Sequence, residues 1–230
     1  KITEKEVLKE INKIFNTIPR GKKEQKIKVK EIQKSPEVLI QFKKTDQTHF
    51  VLGFRSYGLF NKKSVTLAVL GALLGGGMSS RLFQKLREEM GVGYYVRAGN
   101  DTYTDHGVFT ISAGVDNKRI EEVISVILEE VQKFKNEKID EEELNKVKEF
   151  LIGNMKLSLE SSDDIASFYG GQELLKKEIK SLDEKIREIR DVTTKQIQDL
   201  AKDIFKNEKL NLALIGPFKD KNKFLKILKF

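Results

Sequence analysis

The chain opens on a helical pattern. Thr3-x-x-Glu6 is a capping box, and Val7, Leu8, Ile11, Ile14 and Phe15 follow it as one apolar stripe. Pro19 and Gly21 stop that helix, and the Lys-rich stretch from Arg20 to Lys34 reads as a linker. From Glu37 the period changes to two. Val38, Ile40 and Phe42 alternate with Leu39 and Gln41; after an expected turn at Asp46-Gln47, Phe50, Leu52 and Phe54 alternate with His49, Val51 and Gly53. Ser64 to Leu74 is apolar all round and long enough for a helix, ended by Gly75-Gly76-Gly77. Ser79 or Ser80 caps the next helix, with Leu82, Phe83, Leu86 and Met90 on one side and Gly91 as a left-handed stop. Gly93 to Ala98 reads as a strand, Asn100-Asp101 as a turn, and Phe109 to Val115 as another strand. Ile120 to Phe134 keeps the helical period, and Asp140-x-x-Glu143, Ser181-x-x-Glu184 and Thr193-x-x-Gln196 open further helices. Leu210 to Ile215 is a short strand, and a final helix carries Phe224, Leu225 and Leu228.

Hairpin-like strand pairs with helices grouped between them predict an α+β fold. The expected architecture is a two-layer sandwich, an antiparallel or mixed sheet with helices packed on one face. The opening helix lacks a partner for its stripe within residues 1–34. It packs on something later in the chain or on something absent from it.

Composition narrows the chemistry. The 230 residues include no Cys, which removes disulfides, thiolate metal sites and Cys nucleophiles together. Two His, His49 and His106, leave little for a histidine metal site, and no H-x-x-E-H or H-x-x-x-H spacing occurs. The formal net charge is +8, but it sits at the ends. Residues 1–46 hold 13 basic and 7 acidic groups, residues 206–230 hold 7 and 2, and the middle holds 23 and 26. Two Lys-rich ends read as solvated surface, so no nucleic-acid partner is expected. The longest uncharged run, Ser64 to Ser80, falls short of the ~20 apolar residues a membrane span needs. No membrane association and a cytoplasmic location are expected. The first residue is Lys1, so the chain start reads as excised or processed.

Three features are candidates for function. Gly75 to Gly77, with Ser79, is a loop able to touch a ligand, but it follows a helix and lacks the Gly-Lys-Ser/Thr ending of a phosphate loop. Ser79, Ser80, Ser161 and Ser162 have no activating base nearby and read as caps. Arg87 and Tyr94 flank the turn Gly91-Val92-Gly93, which folds the chain back so that two donors approach one space. Such a pair suits a carbonyl oxygen that gains negative charge. Spacing alone leaves open that Arg87 serves the helix end and that Tyr94 packs.

The block Leu74-Gly-Gly-Gly-Met-Ser-Ser-Arg-Leu-Phe-Gln-Lys-Leu-Arg-Glu-Glu-Met-Gly-Val-Gly-Tyr94 resembles the second-half signature of the pitrilysin-type (inverzincin) zinc peptidases. That family includes mitochondrial processing peptidase and insulin-degrading enzyme. Gln47 to Phe54, Tyr103 to Phe109, the Glu-Glu-Leu helix around Leu144 and Ala213 to Pro217 are similar to it as well. The resemblance covers about residues 1–218. It implies the half of the enzyme that lacks the metal motif and supplies an Arg and a Tyr seven residues apart, matched by Arg87 and Tyr94. Val92-Gly93-Tyr94 departs from the family's Leu-Ala-Tyr or Leu-Gly-Tyr. The resemblance further implies residues 1–34 as the terminal helix and linker of a preceding domain and residues 35–230 as one non-metal half-domain. This chain would hold no cofactor, zinc would sit in a metal-bearing partner half, and a peptide would be the substrate. Gly75, Gly76, Gly77 and Ser79 would contact it, and the half would be inactive alone. The alternative is a non-catalytic scaffold or interaction subunit of the same fold.

Overall fold

The computed structural model describes residues 2–22, 24, 26–175 and 178–229. They fall into two units, Lys1–Lys30 and Glu31–Phe230.

The first unit is helix α1 (Glu4–Phe15) and the segment after it. The Thr3 hydroxyl accepts from the Glu6 amide, and the Glu6 carboxylate accepts from the Thr3 amide at 2.7 Å. The box thus satisfies two amides that the first turn leaves orphaned. The apolar stripe forms as the pattern predicts, and Leu8, Ile11, Ile14 and Phe15 are exposed.

The second unit is built on a five-stranded mixed sheet of β1 (Glu37–Phe42), β2 (Gln47–Ser56), β3 (Gly93–Thr102), β4 (Gly107–Asp116) and β5 (Leu210–Gly216). The order across the sheet is β1-β5-β2-β4-β3. Period-two alternation sends Phe50, Leu52 and Phe54 of β2 and Phe109, Ile111, Ala113 and Val115 of β4 to a buried face. Leu210, Leu212 and Leu214 of β5 join them. The opposite face carries Leu39, Val51 and Ile215 and stays exposed, so the helices cover one side only. Among them are α2 (Ser64–Gly75), α4 (Ile120–Asn136), α5 (Glu141–Leu157), α6 (Ser162–Leu175), α7 (Leu182–Arg190) and α8 (Thr194–Ile204). Helix α2 runs apolar all round because it is a core helix, with Leu67, Val69, Leu70, Leu73 and Leu74 essentially without exposed surface. Each such side chain contributes about 1.5–3 kcal/mol of burial.

The first two strands do not form the hairpin that their spacing suggests. Strand β5 lies between them, parallel to β1 with Val38 opposite Leu212, and antiparallel to β2 with Leu52 opposite Leu212. The connection crosses the end of β5, where the Lys43 amide donates to the Gly216 carbonyl at 2.9 Å. A strand apolar on its inner face and paired along both edges takes the centre of the sheet and displaces the local pairing.

Four local expectations change. Asn100 and Asp101 are not a turn: they sit in β3, paired with Phe109 and Val108, and the hairpin turns at residues 103–106 instead. Ladder pairing overrides their turn propensity. Asp140 accepts from the Glu142 amide, but Glu143 does not complete a capping box. Its carboxylate accepts from the Arg81 Nε and Nη2 at 2.7 Å each, a stronger bidentate partner. Ser80 precedes a short α3 (Arg81–Phe83), yet its hydroxyl turns back to donate to the Gly77 carbonyl at 2.6 Å and caps nothing. The last helix, α9 (Lys221–Leu225), ends before Leu228. The boxes at Ser181 and Thr193 form in full, and Ser161 accepts from the Asp164 amide at the start of α6.

Candidate active-site cleft

The site lies where the end of α2 meets the edge strand β3. Glycine is required there. A Cβ on Gly75 would sit 2.5 Å from the Ala98 nitrogen, and one on Gly71 3.0 Å from the Gly99 Cα. The first member of the glycine run therefore lets helix and strand backbones touch.

After α3 the chain widens into a π-helical segment, Gln84–Glu89, with the Met90 amide bonded to the Lys85 carbonyl at 3.2 Å. Such single π turns recur at functional sites. Gly91, at φ +62, stops the segment, and the Val92 amide returns to the Leu86 carbonyl at 2.9 Å. Leu82 and Leu86 anchor the segment in the core, and Arg87 is left exposed on its outer side. From there one guanidinium nitrogen donates to the Tyr94 carbonyl at 3.1 Å, across the glycine turn. The guanidinium also stands 5.5 Å from the Phe83 ring centre.

Tyr94 sits at a bulge. Gly93 pairs with Val115 and Tyr95 with Gly114, leaving Tyr94 as the extra residue. It is 57% exposed, and among the described residues its hydroxyl has no hydrogen-bond partner. Tyr95 is held instead. Its ring stacks on His49 at 5.8 Å, and its hydroxyl lies 3.2 Å from His49 Nδ1. Gly114 makes room for that ring, since a Cβ there would meet it at 2.7 Å.

A cleft of about 460 Å³ opens between the Gly75–Gly77 run, Phe83 and Arg87 on one wall and residues Tyr95 to Ala98 on the other. It brings together Gly75, Gly76, Gly77 and Arg87. Ser79 is exposed outside it, and Tyr94 stands beside its rim, joined to Arg87 through the main chain. Two members were not singled out from sequence, Tyr95 and Arg97. Strand alternation carries the signal for Arg97, which follows buried Val96 and so faces the open side. A second cleft, of about 490 Å³, lies between residues 59–65 and the region of α7; its Lys180 and Lys185 are both committed to Glu188.

Neither histidine fits a zinc site. His49 faces Tyr95, and His106 bonds Asp105 at 2.8 Å while stacking on Tyr103. Among the described residues, no group of three His, Cys, Asp or Glu side chains is placed to hold a metal ion.

Residues 1–151 match the family model described as the peptidase M16 inactive domain. The chain is 38% identical over 181 residues to an uncharacterised zinc protease, YmxG, of Bacillus subtilis, covering 79% of this chain and 44% of that one. It superposes on a protease from Helicobacter pylori with a TM-score of 0.84 at 22% identity, over 94% of this chain and 53% of that one. A peptidase M16 inactive domain from Pseudomonas fluorescens gives 0.82 at 18% identity, over 95% and 52%. The chain thus spans about half the length of these relatives, or less. With the matched model, the identity to a curated zinc protease and the shared two-layer fold in agreement, the chain belongs to the M16 zinc protease family, as its inactive domain.

Proposed function

We propose that this chain is the non-metal half of an M16-type zinc peptidase. It closes over a peptide and presents Arg87 and Tyr94 to the carbonyl of the bond being cut. Residues 1–34 are then the terminal helix and linker of a preceding domain, and residues 35–230 the half that faces the metal-bearing partner.

The single observation behind this reading is the Arg87–Tyr94 bridge. The guanidinium reaches the Tyr94 carbonyl at 3.1 Å, which supports the two residues acting together with donors to spare. Arg87 spends one of its five N–H groups on that bond, and the Tyr94 hydroxyl is free among the described residues. The bulge separates the tyrosines by role: Tyr95 is committed to His49, and Tyr94 is presented outward. A carbonyl oxygen that becomes an oxyanion strengthens both hydrogen bonds, so the pair favours the transition state over the bound peptide. Each donor is worth about 3 kcal/mol in such a role. Among the described residues no donor set is placed to hold a metal; on this reading the metal and its water belong to the partner half, and this half is inactive alone.

The test is Tyr94→Phe in the assembled two-half enzyme. One lost oxyanion donor lowers kcat about 100-fold. A kcat within twofold of the unmodified enzyme would remove Tyr94 from the reaction. An assembled pair that hydrolyses no peptide would favour a scaffold subunit instead.

A further inference from the structure

We propose that Arg97, with Arg87 across the cleft, forms a subsite for a carboxylate of the peptide substrate. The inference rests on the reading above and adds the substrate class.

Of the second unit's five other arginines, four are spent on glutamates, Arg55 on Glu31, Arg81 on Glu143, Arg119 on Glu122 and Arg190 on Glu149, and the fifth, Arg187, lies on α7 outside the cleft. Arg87 and Arg97 differ. Both are exposed and both line one cleft, and no carboxylate among the described residues bonds either. Arg97 lies on the edge strand opposite Ser112, next to buried Val96 and itself exposed. Its guanidinium has no hydrogen bond among the described residues, and that of Arg87 has one, to a main-chain carbonyl. Arg87 and Arg97 thus both line one space of about 460 Å³ whose lining includes no carboxylate.

The surroundings make this charge local. Residues 47–205 carry 23 basic and 26 acidic groups, so the cleft is a basic spot on a slightly acidic stretch. Phe83, Val96 and Ala98 line it with apolar surface, which strengthens a charge pair relative to open water. Guanidinium groups bind carboxylates through paired N–H donors, and they repel the ammonium of a lysine. The carboxylate reaches the cleft from a Glu or Asp side chain near the scissile bond or from a free peptide C-terminus.

Three peptides of one sequence separate the two sources: a C-terminal amide with Glu within two residues of the cleaved bond, the same amide with Gln there, and the Gln peptide with a free C-terminal acid. Two readouts are taken, kcat/KM in the assembled enzyme and direct binding to this chain by fluorescence anisotropy. One of the two carboxylate peptides should be favoured about tenfold over the neutral amide in both. The preference should fall to near unity in Arg97→Gln and survive only in part in Arg97→Lys, which keeps the charge but not the paired donors, with unchanged circular dichroism. Equal handling of all three peptides, or a preference that Arg97→Gln leaves intact, overturns the proposal. An assembled enzyme that cuts nothing refutes the peptidase reading, and the binding preference and its loss in Arg97→Gln still decide the subsite.

Discussion

Replacing Gly75 with alanine should cost the second unit about 2 kcal/mol. The new methyl would stand 2.5 Å from the Ala98 nitrogen and 2.9 Å from both the Ala98 Cβ and the Arg97 carbonyl carbon. Two of these three atoms are backbone of a paired strand, so no side chain can swing away. Relief requires α2 to lift off β3, and overpacking of this kind costs up to about 3 kcal/mol. Alanine returns up to about 1 kcal/mol through helix propensity, less at a helix end. Two internal comparisons fix the sign. At Gly71 the nearest atom is the Gly99 Cα at 3.0 Å, so Gly71→Ala should be milder. At Gly153, inside α5, nothing lies within 4 Å, and Gly153→Ala should stabilise by about 0.5–1 kcal/mol. Thermal unfolding followed by circular dichroism gives the order Gly153→Ala, wild type, Gly71→Ala, Gly75→Ala, with the last melting about 4–8 °C below wild type. A Gly75→Ala midpoint at or above wild type would show that the helix–strand approach is not what demands glycine.

Two further outcomes follow from the charges and the histidines. Burial pushes the Glu188 carboxyl up, but the Lys180 and Lys185 ammonium groups together outweigh that and hold it below the ordinary carboxylate range. A depressed carboxyl stabilises the fold above its unfolded value, and the contribution is lost as pH falls through the folded one. Glu188→Gln should therefore be about 1 kcal/mol less stable than wild type at neutral pH and converge with it in acid. A constant difference across that range in urea titrations would refute the assignment. After dialysis, elemental analysis of this chain alone should find well under one zinc per molecule, because His49 and His106 are engaged with Tyr95 and Asp105. One tightly held zinc would overturn its place as the non-metal half.

The helices were legible because their signals are local. Thr3, Ser181 and Thr193 each meet an acceptor three residues on, and the boxes close in the structure. Strand faces were legible for the same reason: alternation alone sends Phe50, Leu52 and Phe54 inward. Strand neighbours were not. That β5 separates β1 from β2 depends on pairs such as Val38 with Leu212, far apart along the chain, and no local pattern encodes them. Asn100 and Asp101 fail in the same way, since their turn propensity yields to partners on β4. Glu143 fails by competition, because Arg81 is a better partner for its carboxylate than the helix amide.

The proposed site is legible in the sequence as a spacing and not as a geometry. Arg87 and Tyr94 are seven residues apart in the chain, and two irregularities decide what they present. The π-helical segment sets which side of its axis Arg87 occupies, and the bulge sets which of two successive tyrosines is free. In a regular strand, successive side chains alternate and nothing in Tyr94-Tyr95 tells them apart. The distinction comes from the neighbouring strands: Gly114 leaves space for the Tyr95 ring, and His49 takes its hydroxyl. A histidine that could be set aside as a metal ligand thus acquires a structural role. By fixing Tyr95 on the open face of the sheet, it leaves the bulged Tyr94, whose carbonyl accepts from Arg87, as the tyrosine of the pair whose hydroxyl has no partner among the described residues.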